Sequence, residues 1–213
     1  MNYPHIMQPA LRLFTVLGSL SLPLSAAASS DEAGAGGPAV HWEAGLTYAS
    51  GISKVTNQIE ANFAVTKKSI WPVGLKLGGY AEYASGWGFG GSVGPWEVIR
   101  IDHGRYFGSG DSSYNYIVPI TLDARYFFSG EGQGKVYVRA GLTQPIVGGD
   151  YLGSGTVGPV VAIGSEVWHG SHMSVGMEAG YDGSKVEVKG TAYNIPAVKV
   201  TPVAFTVGLF VRF

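Results

Sequence analysis

Apolar residues occupy every second position at the end of the chain. Val203, Phe205, Val207, Leu209, Val211 and Phe213 alternate with small, polar or charged residues, Phe210 being the exception. A side-chain period of two marks a strand with one apolar face. At about 3.3 Å per residue, a tilted strand of this length crosses a bilayer's hydrocarbon core. Similar alternation upstream predicts eight strands in all, over about 41–50, 72–83, 87–100, 114–128, 135–143, 157–168, 172–188 and 198–213. In the third, Pro95 and Glu97 spoil the later phase, so a bulge or an early exit is expected there. Trp168 is out of phase with its strand and reads better as part of the turn that follows.

The connections alternate in length. Residues 84–86, 129–134 and 169–171 make short turns, whereas 51–71, 101–113, 144–156 and 189–197 are long. Short turns at one end, long loops at the other and an even strand count are the signature of an outer-membrane barrel. A soluble β-sandwich alternates in the same way. Against it, polar and charged residues fill the second face of nearly every strand. Aromatics also gather at both strand ends: Trp42, Tyr83, Trp87, Tyr126, Phe128 and Phe213 by the short turns, and Tyr48, Tyr114, Tyr116 and Tyr181 toward the loops. Two aromatic belts are expected where rings sit at headgroup depth. The fold class is therefore all-β, an eight-stranded antiparallel up-and-down transmembrane β-barrel. Its termini and short turns are expected in the periplasm and its long loops outside the cell.

The first long connection has a different period. Ile52, Val55, Ile59 and Phe63 are spaced by three and four, which suits one face of a short amphipathic helix capping the barrel mouth or lying on the outer membrane surface. Ile59, Ala61, Phe63 and Val65 also alternate, so a strand extension stays open.

Composition narrows the compartment. The chain has 213 residues, 33 of them glycine, with no cysteine and a formal net charge of −1. It lacks the run of about eighteen apolar residues that a transmembrane helix needs. Arg12, the apolar run from Leu13 to Leu22, Pro23 and Ala26-Ala27-Ala28 read in order as a secretory signal over 1–28. Residues 29–40 read as a flexible leader, and 41–213 as the barrel domain. Without cysteine there are no disulfides, thiolate metal sites or thiol catalysis. No concentrated basic face suggests a nucleic-acid partner.

With this signal segment, strand rhythm and terminal Phe213, the chain resembles the small eight-stranded outer-membrane barrels of Gram-negative bacteria, the OmpA/OmpX and opacity-protein type. The resemblance covers about 41–213. It implies outer-membrane lipid, lipopolysaccharide and the barrel-assembly machinery as partners, a monomer, and a surface or host-cell ligand for the loops. Phe205, Val207, Leu209, Val211 and Phe213 are similar to the ending which that machinery reads. No cofactor is implied.

The polar phase of the strands carries Glu43, Lys76, Glu82, Asp123, Arg125, Arg139, Glu166, Glu178 and Arg212. Lone ionisable groups inside a membrane segment point to function. A set of mixed sign in an interior only wide enough for side chains points instead to a paired network filling the lumen, in preference to an ion path. Tyr80, Tyr137 and Phe210 share the inward phase, with glycines such as Gly164 and Gly176 making room for them.

Two constellations remain. Asp102, His103, Arg105, Asp111, Ser112 and Ser113 contain the parts of a hydrolase triad, and some small barrels modify lipid A, but Ser and Asp are also ordinary turn residues. His169 and His172 flank a short turn with no third ligand, a poor metal site. Neither catalysis nor metal binding is therefore expected. The functional reading is an envelope scaffold displaying loops for surface interaction or adhesion. A narrow pore for small solutes or ions and a lipid A-modifying enzyme are the alternatives.

Overall fold

A computed structural model describes residues 37–63, 65, 67–102, 112–128, 135–191 and 195–213. The elements are β1 (Ala39–Ala49), α1 (Ile52–Phe63), β2 (Lys67–Ile70), β3 (Val73–Glu82), β4 (Trp87–Val93), β5 (Glu97–Asp102), β6 (Ser112–Phe128), β7 (Val136–Gly148), β8 (Leu152–Thr156), β9 (Gly158–His169), β10 (Ser174–Asp182), β11 (Lys185–Val188), β12 (Val198–Val200) and β13 (Ala204–Arg212).

Strands β6, β4, β3, β1, β13, β10, β9 and β7 pair in that order, and the β6–β7 ladder joins the two ends into a closed eight-stranded barrel. Every pairing in the ring is antiparallel. Closure leaves no strand edge unpaired within the ring itself. The first and last strands form one seam, where Trp42 and Phe213 exchange both backbone bonds, at 3.1 and 2.9 Å.

Toward the long-loop end several strands are interrupted and resume with different pairing. The breaks fall at Trp71-Pro72, Gly94-Pro95-Trp96, Val157, Gly183-Ser184 and Thr201-Pro202-Val203. Three contain proline, which cannot donate to a ladder. Beyond them, β2 and β5 extend the wall along the upper half of β6, and β12, β11 and β8 form a separate three-stranded sheet. Segments that the sequence pattern assigns to long loops therefore contain β2, the end of β7, and β8. At four and five residues, β2 and β8 carry too few alternations to register as a period of two. Trp168 belongs to β9 and not to the turn. The register slips between Val175 and Gly176, whose partners are Trp168 and Glu166, and the extra residue lets both Val167 and Trp168 face outward.

Residues 52–63 are helical, and the strand alternative does not hold. Ile52, Val55 and Ile59 of α1 pack against Ile99 and Ile101 of β5, Ile117 of β6, Tyr151, Leu152 of β8, and Val186 and Val188 of β11. The helix thus sits between the two upper sheets over the barrel mouth. Asn62 donates to the Lys189 carbonyl (2.9 Å), and Lys68 donates to Asn57 (2.7 Å) and to Glu60.

The outer wall carries exposed apolar side chains around the ring, among them Leu46, Leu77, Leu122, Leu142, Ile163 and Leu209. Trp42, Tyr83, Trp87, Tyr126, Phe128 and Phe213 border this belt at the short-turn end, and Tyr48, Trp71, Trp96, Tyr181 and Phe205 at the other. A continuous apolar belt of this extent, with aromatic rims, is a lipid-facing surface. No helix among the described residues is long and apolar enough to cross a membrane.

Candidate functional site: the lumen and the outer rim

The inward phase of the ring gathers charges contributed by strands far apart in sequence. They form one continuous chain of alternating sign. Glu166 binds Arg212; Arg212 Nη2 donates to Glu43 Oε1 (2.9 Å); Arg125 Nη1 donates to Glu43 Oε2 (2.7 Å). Arg125 Nε then reaches Asp123 Oδ1 (2.9 Å), and Arg139 Nη1 reaches Asp123 Oδ2 (3.2 Å). Arg139 Nη2 and Lys76 Nζ both donate to Glu178 Oε1, at 2.8 and 2.9 Å. The chain therefore holds four acids and four bases. Its charges cancel, as burial in a poorly solvated interior demands.

Glu82 stands apart from this chain. It lies at the short-turn rim, where Lys135 donates to it (2.7 Å) and His41 approaches to 3.4 Å.

Aromatic rings pack among the guanidinium groups. Tyr80 stacks on Phe127 (centroids 5.4 Å), Phe127 meets Tyr137 (5.4 Å) and Tyr137 meets Phe210 (6.3 Å). Arg125 and Arg212 lie over Tyr80 at 4.4 and 5.0 Å from its centroid, at cation–π distance. Tyr137 also donates its hydroxyl to Glu178 (2.8 Å). Glycine makes the room: a Cβ on Gly164 would come within 2.3 Å of the Tyr137 ring, and one on Gly176 within 2.2 Å of Phe210. The lumen is thus filled twice, by ion pairs and rings at the short-turn end and by the apolar packing of α1 at the other.

Outside, above the apolar belt, Ser69, Trp71, Trp96, Val98, Arg100, Asp102 and Tyr114 line a shallow recess of about 590 Å³. Arg100 donates to Asp102 (2.9 Å) and to Ser112 (3.1 Å), and the Ser112 hydroxyl donates to Asp102 (2.7 Å).

No protein-family model matches the chain, and no curated protein matches it in sequence. Solved structures do. The outer membrane protein OprG from Pseudomonas aeruginosa superposes with a TM-score of 0.53 at 14% identity, covering 84% of this chain and 98% of that one. The chain has the fold of a small eight-stranded outer-membrane β-barrel. Neisserial surface protein A is similar at a TM-score of 0.45 and 14% identity, covering 81% of this chain and 95% of its own. Ail, the attachment invasion locus protein of Yersinia pestis, solved with the heparin analogue sucrose octasulfate, gives 0.38 and 12%, covering 84% and 99%.

The barrel places the remaining sequence candidates as follows. Asp102 and Ser112 share the outer face, but Ser113 is buried on the opposite one, and His103, Arg105 and Asp111 lie outside the described residues. His169 is within 3.4 Å of Glu166. No group of three or more metal-ligating side chains forms among the described residues. Phe205, Val207, Leu209 and Phe213 point outward from β13, with Val211 half-buried between them. The signal segment lies outside the described residues. Sequence reasoning missed Phe127, whose inward phase on β6 was the available signal, and Lys135, which precedes β7. It also read Glu97 as a break in an apolar phase. The kink at Gly94–Trp96 resets that phase and turns Glu97 inward, where it is 1% exposed.

Proposed function

We propose that the chain is an outer-membrane protein whose barrel is a non-conducting envelope scaffold, displaying its helix end for surface contact or adhesion. The observation that carries this reading is the doubly filled lumen. The neutral charge chain and its rings occupy one end, and the α1 core occupies the other. A solute passing through would have to break buried ion pairs, which costs about 3–5 kcal/mol for each one left half-made.

The apolar belt contacts lipid, and the recess around Trp71, Trp96 and Arg100 lies where the outer leaflet's lipopolysaccharide headgroups begin. Aromatic faces and a guanidinium suit sugars and phosphates. The short turns and the two termini of the barrel domain face the periplasm, and the upper sheets face outward, toward a surface or host-cell ligand. The barrel works as a monomer, its eight-stranded ring being closed on itself without a second copy. The terminal strand, with Phe205, Val207, Leu209, Val211 and Phe213 on one phase, is what the assembly machinery reads.

Planar-bilayer recording on the refolded barrel tests the closed state. Baseline current with no steady single-channel steps is expected. Steady steps that change when Arg139 or Glu178 is substituted would establish the pore instead. Lipid analysis after incubation with outer-membrane lipid covers the enzymatic alternative, with no change in lipid A expected.

A further inference from the structure

Between the charge chain and the helix core lies a polar layer that neither accounts for. On β5 the inward positions run Glu97, Ile99, Ile101, and the two isoleucines belong to the α1 core. From β10 into β11 the inward positions run Asp182, Ser184, Val186, Val188, and the two valines belong to that core as well. Each run therefore carries an acid just below the helix packing. The two runs face each other. From β4, which β5 continues, the ring passes through β6, β7 and β9 to β10, which is halfway round eight strands. Glu97 and Asp182 thus point inward from opposite walls, each just below the residues that pack on α1.

Both acids are buried, at 1% and 5% exposure. Neither Glu97 oxygen has a hydrogen-bond partner among the described residues. Asp182 accepts one bond, from the Ser184 amide (2.8 Å). The Ser184 hydroxyl, fully buried on the same inward phase, has no partner either, nor has that of Ser92 on the inward phase of β4. The lumen's own cations are committed. Lys76, Arg125, Arg139 and Arg212 each bind an acid of the neutral chain below. Among the described residues these two buried acids are left without a counter-charge, an arrangement that interiors do not tolerate uncompensated.

We propose that Glu97 and Asp182 bind a divalent hard cation of the Ca²⁺ type across the upper lumen, assisted by the Ser184 and Ser92 hydroxyls. The chemistry fits. Carboxylate and hydroxyl oxygens are hard ligands, and water fills the further positions of the six to eight that Ca²⁺ takes. One divalent ion cancels both charges. The ion ties the β5 wall to the β10 wall directly beneath α1, so it braces the floor on which the helix packs.

The test uses the full mature chain refolded in detergent, with Tb³⁺ as a luminescent stand-in for Ca²⁺. Trp96, the neighbour of Glu97 in sequence, serves as the sensitising chromophore. One Tb³⁺ per chain is expected, displaced by Ca²⁺. Binding should weaken at least tenfold in Glu97→Gln/Asp182→Asn and measurably in Ser184→Ala, but not in Glu82→Gln at the opposite rim. Ca²⁺ should raise the unfolding temperature of the wild type and of Glu82→Gln but not of the double variant, as preferential binding to the folded state requires. Absence of one-to-one binding by the wild type, or binding kept by a folded double variant, overturns the proposal. Protons on the acids would then be the compensation. Should the double variant fail to migrate as a folded barrel on unheated gels, the wild-type stoichiometry and Ser184→Ala decide alone.

Discussion

Arg125 and Glu43 meet at 2.7 Å across the lumen, although 82 positions separate them in sequence. Their strands, β6 and β1, are three steps apart round the ring, so the bond crosses the interior and does not follow the wall. Arg125 is wholly buried, and Glu43 is shared with Arg212. The bond is one link in a chain of alternating charges, so removing any member strands its neighbours.

Glu43→Ala should therefore destabilise the barrel by about 3–5 kcal/mol, because Arg125 and Arg212 are left as buried charges short of a partner. Urea unfolding of the refolded barrel, followed by tryptophan fluorescence, measures it. Replacing the pair together, as Glu43→Leu/Arg125→Met, should cost less than the single change, since well-packed apolar groups substitute for a buried ion pair at little net cost. A single-variant loss under about 1 kcal/mol would show that the lumen is wetter than its burial implies.

The two fillings of the lumen act in series, so neither alone should open it. Deleting Ile52–Phe63 should leave bilayer recordings silent, as should Arg125→Ala/Arg139→Ala/Glu178→Ala with α1 in place. Combining the two should give steady single-channel currents. Currents from the helix deletion alone would mean that the ion-pair layer passes ions.

Gly164 has the Tyr137 ring where its side chain would be, with a built Cβ within 2.3 Å of that ring. Tyr137 is fully buried and bonded to Glu178, so it cannot step aside. Gly164→Ala should cost about 1–3 kcal/mol through overpacking. In a Tyr137→Leu background the same change should cost almost nothing. That difference, read from a double-mutant cycle of urea midpoints, is the packing contact itself. Equal costs in both backgrounds would place the strain in the backbone instead.

The barrel was legible in the sequence because a period of two repeats over long strands such as β6 and β13, and because short turns punctuate it. The same phase sorts Arg125 and Arg139 from Tyr126 and Val138, since neighbours along a strand face opposite ways. Pairing was not legible. Glu43 meets Arg125 and Arg212 because of barrel closure and stagger, which no local pattern encodes. Part of the upper sheets escaped notice for a different reason: four or five residues, as in β2 and β8, are too short to show a period. Glu97 illustrates a third. Its phase is set by the kink at Gly94–Trp96, so extrapolating from β4 assigns it wrongly. The helix, by contrast, announced itself through Ile52, Val55 and Ile59, whose spacing belongs to no strand.

That helix gives the last prediction. Ile59 is fully buried between the upper sheets, with Val55 one turn earlier. Ile59→Ala removes a core side chain without adding charge and should loosen α1 by about 2–5 kcal/mol. The closed ring below has its own pairings, so the loss should stay local. Hydrogen exchange should speed up across residues 52–63 and in β5 and β11, while amides in β1 and β13 keep their protection. Trypsin offers a second reading, because Lys54 is exposed on the helix. Cleavage there needs the helix to open, and should accelerate in Ile59→Ala with the heat-modified gel shift of the barrel unchanged. Loss of protection throughout β1 and β13 would mean instead that cap and barrel unfold as one unit, and that the helix core supports the whole wall.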